Sequence, residues 1–170
     1  GVRRAIALSS AAVTVVVLVV LLVLSMGGTH SKHLATAEFL KSQFVLGEYI
    51  EGFSPGVPEY GFSLEAVSQL SQTLEVDSSI AIKFLLESEP DYLYSAETGE
   101  IVPGLAGKYL FASKVTGAAN GAQTQMVVGS LSEIIQEDGA LTLTTASTFD
   151  YAWISLGLYA QNQQEMAKNV

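Results

Sequence analysis

The chain of 170 residues contains no cysteine. That absence excludes disulfides, thiolate metal sites, iron–sulfur clusters, thioether-attached haem, cysteine nucleophiles and a lipid-modified cysteine. If the protein is exported, packing alone must stabilise it. Cations are also scarce, with Lys+Arg 8 against Asp+Glu 17 and a formal net charge of -9. Two of the eight, Arg3 and Arg4, precede every acid, so the rest of the chain is more acidic still. Such a surface repels nucleic-acid phosphates and anionic headgroups, which excludes a nucleic-acid function and favours solubility or a basic partner.

His30 and His33 are the only histidines. Their i, i+3 spacing supplies two imidazoles where a zinc site takes three or four ligands, and no acid lies beside them, so they read as polar residues. A serine-hydrolase triad would need one of the two, stranded ahead of the folded domain. Glu87, Glu89, Asp91, Glu97 and Glu100 do cluster, but without the spacing or the sixth-position glycine of an EF-hand, and read as a solvated acidic loop. No catalytic residue, metal or cofactor is expected.

Apolar residues are plentiful, at 49% of the chain. Ala5 to Met26 carries no charge, and as a helix it would be about 33 Å long, enough for a hydrocarbon core of about 30 Å. Arg3 and Arg4 put the N-terminus on the cytoplasmic side. The alternative is a signal peptide cleaved near Ser25 and Gly27, although the apolar run is longer than such signals use. The expected layout is a stub at 1–4, a transmembrane helix at 5–26, a connector at 27–33, a helical domain on the outer side at 34–162 and a tail at 163–170.

Within the domain, apolar residues recur at helical spacing in six stretches. The first runs from about Leu34 to Leu46. Ser63 is the expected N-cap of the second, with Leu64, Val67, Leu70 and Leu74 on one face. Asp77 caps the third, with Ile80, Ala81, Phe84 and Leu85 inward and Pro90 just beyond it. Pro103 opens the fourth, lined by Leu105, Tyr109 and Ala112, and Gly117 ends it. The fifth spans about Thr124 to Glu137 with Val127, Leu131, Ile134 and Ile135. The sixth, about Thr148 to Asn162, has a stripe of Phe149, Ala152, Trp153, Leu156, Tyr159 and Ala160. Ala140 to Thr145 has strand character but no second strand to pair with, so an all-α domain is expected. The helix starts repeat about every 45 residues, two helices to a repeat, as in stacked helical hairpins.

Ala37 to Gln43 (AEFLKSQ), Tyr60 to Ala66 (YGFSLEA), Leu131 to Gly139 (LSEIIQEDG) and Phe149 to Leu158 resemble repeat motifs of the α/α-toroid superfamily of terpenoid cyclases and protein prenyltransferases. The likeness is closer to small membrane-anchored exported actinobacterial members. It implies a partial toroid of three helical hairpins held outside a bacterial cell membrane. Family catalysis does not carry over. The cyclases' acid-rich motif needs closely spaced acids, whereas Asp77, Asp91, Asp138 and Asp150 lie far apart, and the prenyltransferase zinc site needs a cysteine.

The segment from Tyr49 to Tyr60 is unusual for a loop, with Tyr49, Ile50, Phe53, Val57 and Tyr60 set around Pro55 and Pro58. Aromatic enrichment marks both interfaces and cores, so this loop is either a docking surface or a lid over its own helices. The expected function is a non-catalytic, membrane-anchored accessory subunit using Tyr49, Ile50, Phe53 and Tyr60 to dock on a larger membrane complex. The resemblance suggests the respiratory cytochrome bc–oxidase supercomplex. The alternative is a tethered module binding a small apolar or glycan ligand.

Overall fold

The computed structural model describes residues 30–73, 75–87, 91–118, 120–143 and 146–170. They form α1 (His30–Ser42), β1 (Phe44–Val45), β2 (Tyr49–Ile50), α2 (Tyr60–Leu70) and α3 (Ser79–Ile82). Lys83–Glu87 continues α3 as a π turn, and a 3-10 turn follows at Asp91–Leu93. Then come α4 (Pro103–Thr116), α5 (Gly121–Ile134), α6 (Thr148–Ala160) and α7 (Gln164–Asn169).

Two expectations are corrected. The class is mainly helical but not all-α, because β1 and β2 pair antiparallel with Phe44 opposite Ile50 and Val45 opposite Tyr49. Localisation as a single-pass membrane protein is corrected on the finding that, among the described residues, no helix is long and apolar enough to cross a membrane. The predicted span Ala5 to Met26 lies outside those residues.

The hairpin has a local cause. Leu46 and Gly47 both hold positive φ, 53° and 80°, and Glu48 N donates to Val45 O at 2.9 Å. Two consecutive left-handed residues make the turn whose twist matches paired strands. The first helix therefore ends at Ser42, four residues before the apolar pattern does.

Three repeats of helix, bridged turn and helix follow one another. Single antiparallel bridges close the turns at Glu51–Pro58, Tyr94–Ile101 and Ile135–Leu141. Each time the second bridging residue stands two beyond a glycine of positive φ, namely Gly56, Gly99 or Gly139. Leu141 thus has a partner in Ile135, contrary to the expectation for its segment. The second helices of the repeats stack side by side, α2 on α4 and α4 on α6, while α1 packs on α2, α3 with its π turn on α2 and α4, and α5 on α4. The expected tail at 163–170 contains α7, which packs on α6 in the phase of a further first helix.

The bounds of α4 were legible in the sequence. Pro103 occupies the first turn of α4 and Gly117, at φ 72°, its C-cap. Ser147 and Asp150, a signal the sequence reading did not single out, form a capping box on α6. Asp77, expected to cap α3, stands one residue before the N-cap Ser78 and accepts from Ser79 N at 3.0 Å, a bond that holds its carboxyl below the usual range. Ser63 is different: α2 starts a turn earlier, capped by the Glu59 carboxylate on Phe62 N. Buried Ser63 instead donates to Glu59 O at 2.6 Å and accepts from Ile50 N at 2.9 Å, tying β2 to α2.

The core is carried by Leu64, Val67 and Leu70 of α2, Leu85 and Leu86 of the π turn, Tyr109 and Leu110 of α4, Val127 and Leu131 of α5, and Ile154 and Leu158 of α6. Ile80, expected inside, is exposed while Leu86 is buried. In α6 the expected stripe is reversed: Ile154, Gly157 and Leu158 are buried, Trp153 is half-buried, and Phe149, Leu156 and Tyr159 face solvent.

The reversal follows from how α6 meets α4. A Cβ on Gly107 would overlap the Trp153 carbonyl and lie 2.6 Å from Ile154 N, and one on Gly157 would overlap Gly107 O. The two backbones touch, so the glycine side of α6 must face inward. Gly107→Ala and Gly157→Ala should each cost about 3 kcal/mol or more, because a fixed backbone cannot yield as a side chain can. Gly129→Ala in α5, whose added Cβ meets nothing within 4 Å, should gain about 0.5–1 kcal/mol. Chemical denaturation followed by circular dichroism measures all three. Equal effects would refute the close crossing.

Candidate functional site

The aromatic loop divides into a packed base and an exposed tip. Tyr49 packs on Phe84 with ring centroids 5.5 Å apart, and Ile50 lies against the core. Tyr60 stacks on Tyr92 at 4.2 Å and 7°, and the Tyr92 hydroxyl donates to Leu85 O at 2.6 Å. Three of the four docking candidates thus serve as cover over the protein's own helices. The fourth, Phe53, is 72% exposed, and Val57 beside it 53%. Their backbone is held by Gly52 N to Val57 O at 2.8 Å, Val57 N to Ser54 O at 3.1 Å and Gly56 N to Glu51 Oε1 at 2.7 Å. The tip is an apolar pair on a tied turn.

A polar cluster joins the stacked helices, and the sequence reading missed it. Lys108 Nζ of α4 lies 2.6 Å from Glu65 Oε1 of α2 and 5.3 Å from the centre of the Trp153 ring of α6. The edge of Phe111 meets the same ring at 6.1 Å. One ammonium thus engages a carboxylate on one helix and an aromatic face on another, a partly desolvated arrangement in which cation–π attraction gains strength. Lys108 is the one cation in the middle of an otherwise apolar helix, which was the available signal. Its two partners were invisible because they come from other repeats.

The acidic loop is partly assembled. Glu87 and Asp91 line an open cleft of about 420 Å³ with Tyr94, Asn120, Ala122, Gln123 and Met126. Glu97 and Glu100 stand apart from that lining on the exposed turn from Ser95 to Glu100, and Glu89 lies outside the described residues. Among the described residues no three of His, Cys, Asp and Glu are grouped so as to hold a metal. His30 opens α1, and His33 follows one turn later, its Nε2 buried and lacking a hydrogen-bond partner.

These features define a three-repeat helical-hairpin domain with a tied apolar tip and a shallow acidic cleft. Comparison with family models, curated proteins and solved structures returns no match.

Burial pushes the hydroxyls of Tyr92 and Tyr109 above their ordinary value. Unfolded tyrosine ionises near pH 10, while the folded pair keeps its protons. This contribution to stability is therefore complete below about pH 10 and lost as pH rises beyond it. Denaturation midpoints should be flat from pH 8 to 9.5 and fall above, with a shallower fall in Tyr92→Phe; an unchanged slope in that variant would exclude Tyr92. Chelator and calcium should both leave the melting temperature unchanged. A rise of several degrees with calcium would show that Glu87 and Asp91 hold a cation.

Proposed function

We propose that this chain is a non-catalytic accessory domain that docks on a larger protein assembly. The observation that carries this reading is the exposure of Phe53 and Val57 on a turn tied by three backbone or carboxylate hydrogen bonds, over a base held by two aromatic contacts. Exposed aromatic groups on a rigid mount lose little entropy on binding and are the usual anchors of protein interfaces. The acidic surface favours an assembly with a basic face. The respiratory supercomplex suggested by the sequence resemblance is the first assembly to test.

A second reading is favoured by one observation. The cleft bears carboxylates, carboxamides and the Tyr94 hydroxyl, which suits a hydroxyl-rich ligand such as a glycan better than an apolar one.

The two readings separate on mutation. Phe53→Ser with Val57→Ser should remove the co-purifying partner of the tagged full chain and leave helicity and melting temperature unchanged. Tyr60→Ser should instead lower the melting temperature, because it removes the stack on Tyr92. Full partner stoichiometry in the Phe53/Val57 double variant would refute docking through the tip. Saturable oligosaccharide binding lost in Tyr94→Ala would establish the cleft instead.

A further inference from the structure

Helix α6, TFDYAWISLGLYA, carries one charged residue, Asp150, and that carboxylate is committed to the N-terminus, accepting from Ser147 N at 2.7 Å and Ser147 Oγ at 2.8 Å. The rest of the helix is apolar or uncharged on every side. A helix of this kind is ordinarily buried all round. Here only half is: Ile154, Gly157 and Leu158 face the core, while Phe149 is 79%, Leu156 42% and Tyr159 62% exposed, with Ala152 bare between them.

The spacing of the bare residues states what fits them. Phe149, Ala152, Leu156 and Tyr159 follow one another by three, four and three, which is the alternating seam of a helix that pairs with a second helix. Flat lipid or an extended peptide would not need that register. The residues flanking the seam are Thr148, Trp153, Ser155 and Ala160, none of them charged. In paired helices the flanking charges choose the partner. Uncharged flanks give a basic or acidic helix no purchase, and they let an identical helix approach without like-charge repulsion even though the chain is acidic.

The seam is also complementary to itself. Reversed about Ile154, Phe149 falls opposite Tyr159 of another copy and Ala152 opposite Leu156, so aromatic meets aromatic and small meets large. A parallel pair would set Phe149 on Phe149 and Ala152 on Ala152, leaving a gap at the alanine layer and aligning the two helix dipoles. The antiparallel arrangement opposes the dipoles and closes as a two-fold dimer, in which each copy offers the same patch.

We infer that α6 is a dimer seam: a second copy of this chain packs its own 148–160 helix antiparallel against Phe149, Ala152, Leu156 and Tyr159. A helix of 13 residues is about 20 Å long, which places the contact at the small end of specific interfaces and makes the dimer reversible. The seam shares no residue with the Phe53–Val57 tip.

The test uses the full chain in a non-ionic detergent, with protein mass read by sedimentation equilibrium at matched density. The expected result is a concentration-dependent dimer that becomes monomeric in Leu156→Glu and is unaffected by Phe53→Ser with Val57→Ser. Circular dichroism should be unchanged in Leu156→Glu, since the side chain replaced is exposed. Because the chain has no cysteine, single substitutions report orientation. A mixture of Ala152→Cys and Leu156→Cys chains, differing in tag length, should oxidise mainly to the mixed cross-linked species. A monomer at all concentrations would overturn the proposal. So would a dimer that survives Leu156→Glu, which would place the contact elsewhere, for instance in Ala5 to Met26. Cross-links only between like variants would overturn the antiparallel seam. Loss of partner binding in the Phe53/Val57 variant with the dimer intact, or the reverse, keeps the two readings distinguishable.

Discussion

Two helix backbones in direct contact organise this domain. Where α4 crosses α6, Gly107 and Gly157 leave no side chain between the chains, and Gly104 leaves room for the Asp150 carboxylate that caps α6. Close approach of backbones brings many atoms into dispersion contact and tolerates almost no change of volume. The contact also sets the rotation of both helices. With the Gly157 side turned inward, Trp153 comes over Lys108, and Gln161 Nε2 reaches Leu110 O at 2.8 Å. The same rotation turns Phe149, Leu156 and Tyr159 outward. The bare seam is a geometric consequence of the glycine crossing, so core packing and surface character are one decision here.

The bridged turns divide labour in a related way. Each closes on a left-handed glycine and delivers the chain to the second helix of its repeat. In the first repeat the connection is longer, and the surplus became a small sheet and a tied tip. Its aromatic residues are sorted by what their backbone can reach. Tyr49 and Tyr60 flank positions whose hydrogen bonds run into β2 and α2, and so the Tyr60 ring lies against the core and the Tyr49 ring on Phe84. Phe53 and Val57 sit on a turn whose hydrogen bonds are satisfied within itself, and such a turn has no core to fold over. Where the polar backbone closes locally, the side chains are left exposed.

Charge contributes to assembly more than to the interior. The partly buried pair Lys108–Glu65 links two repeats, whereas Lys168–Glu165 on α7 is exposed and adds little by itself. The acids of the second loop lie at the rim of the cleft or on the exposed turn, where solvent screens them. Packing of apolar helices carries the stability, as a chain without disulfides requires.

The sequence by itself determined the features that depend on a few neighbouring residues. Helix positions followed from apolar spacing, and Pro103 and Gly117 bounded α4 because proline and glycine act through their own φ. The repeat was legible from the succession of helix starts. Tertiary structure decided what depends on neighbours distant in the chain. Periodicity shows that α6 is apolar but cannot say which side of a helix apolar all round is buried, and two glycines 50 residues apart settled it. Apolar spacing placed Ala81 and Leu85 inside, as they are, but also Ile80, which faces solvent. Pairing of Leu141 with Ile135, the Lys108–Glu65–Trp153 cluster, and the division of the aromatic loop into cover and tip all rest on contacts between segments. Local propensity fixes φ, ψ and caps residue by residue, whereas burial is a property of what lies opposite, and only the folded chain supplies that.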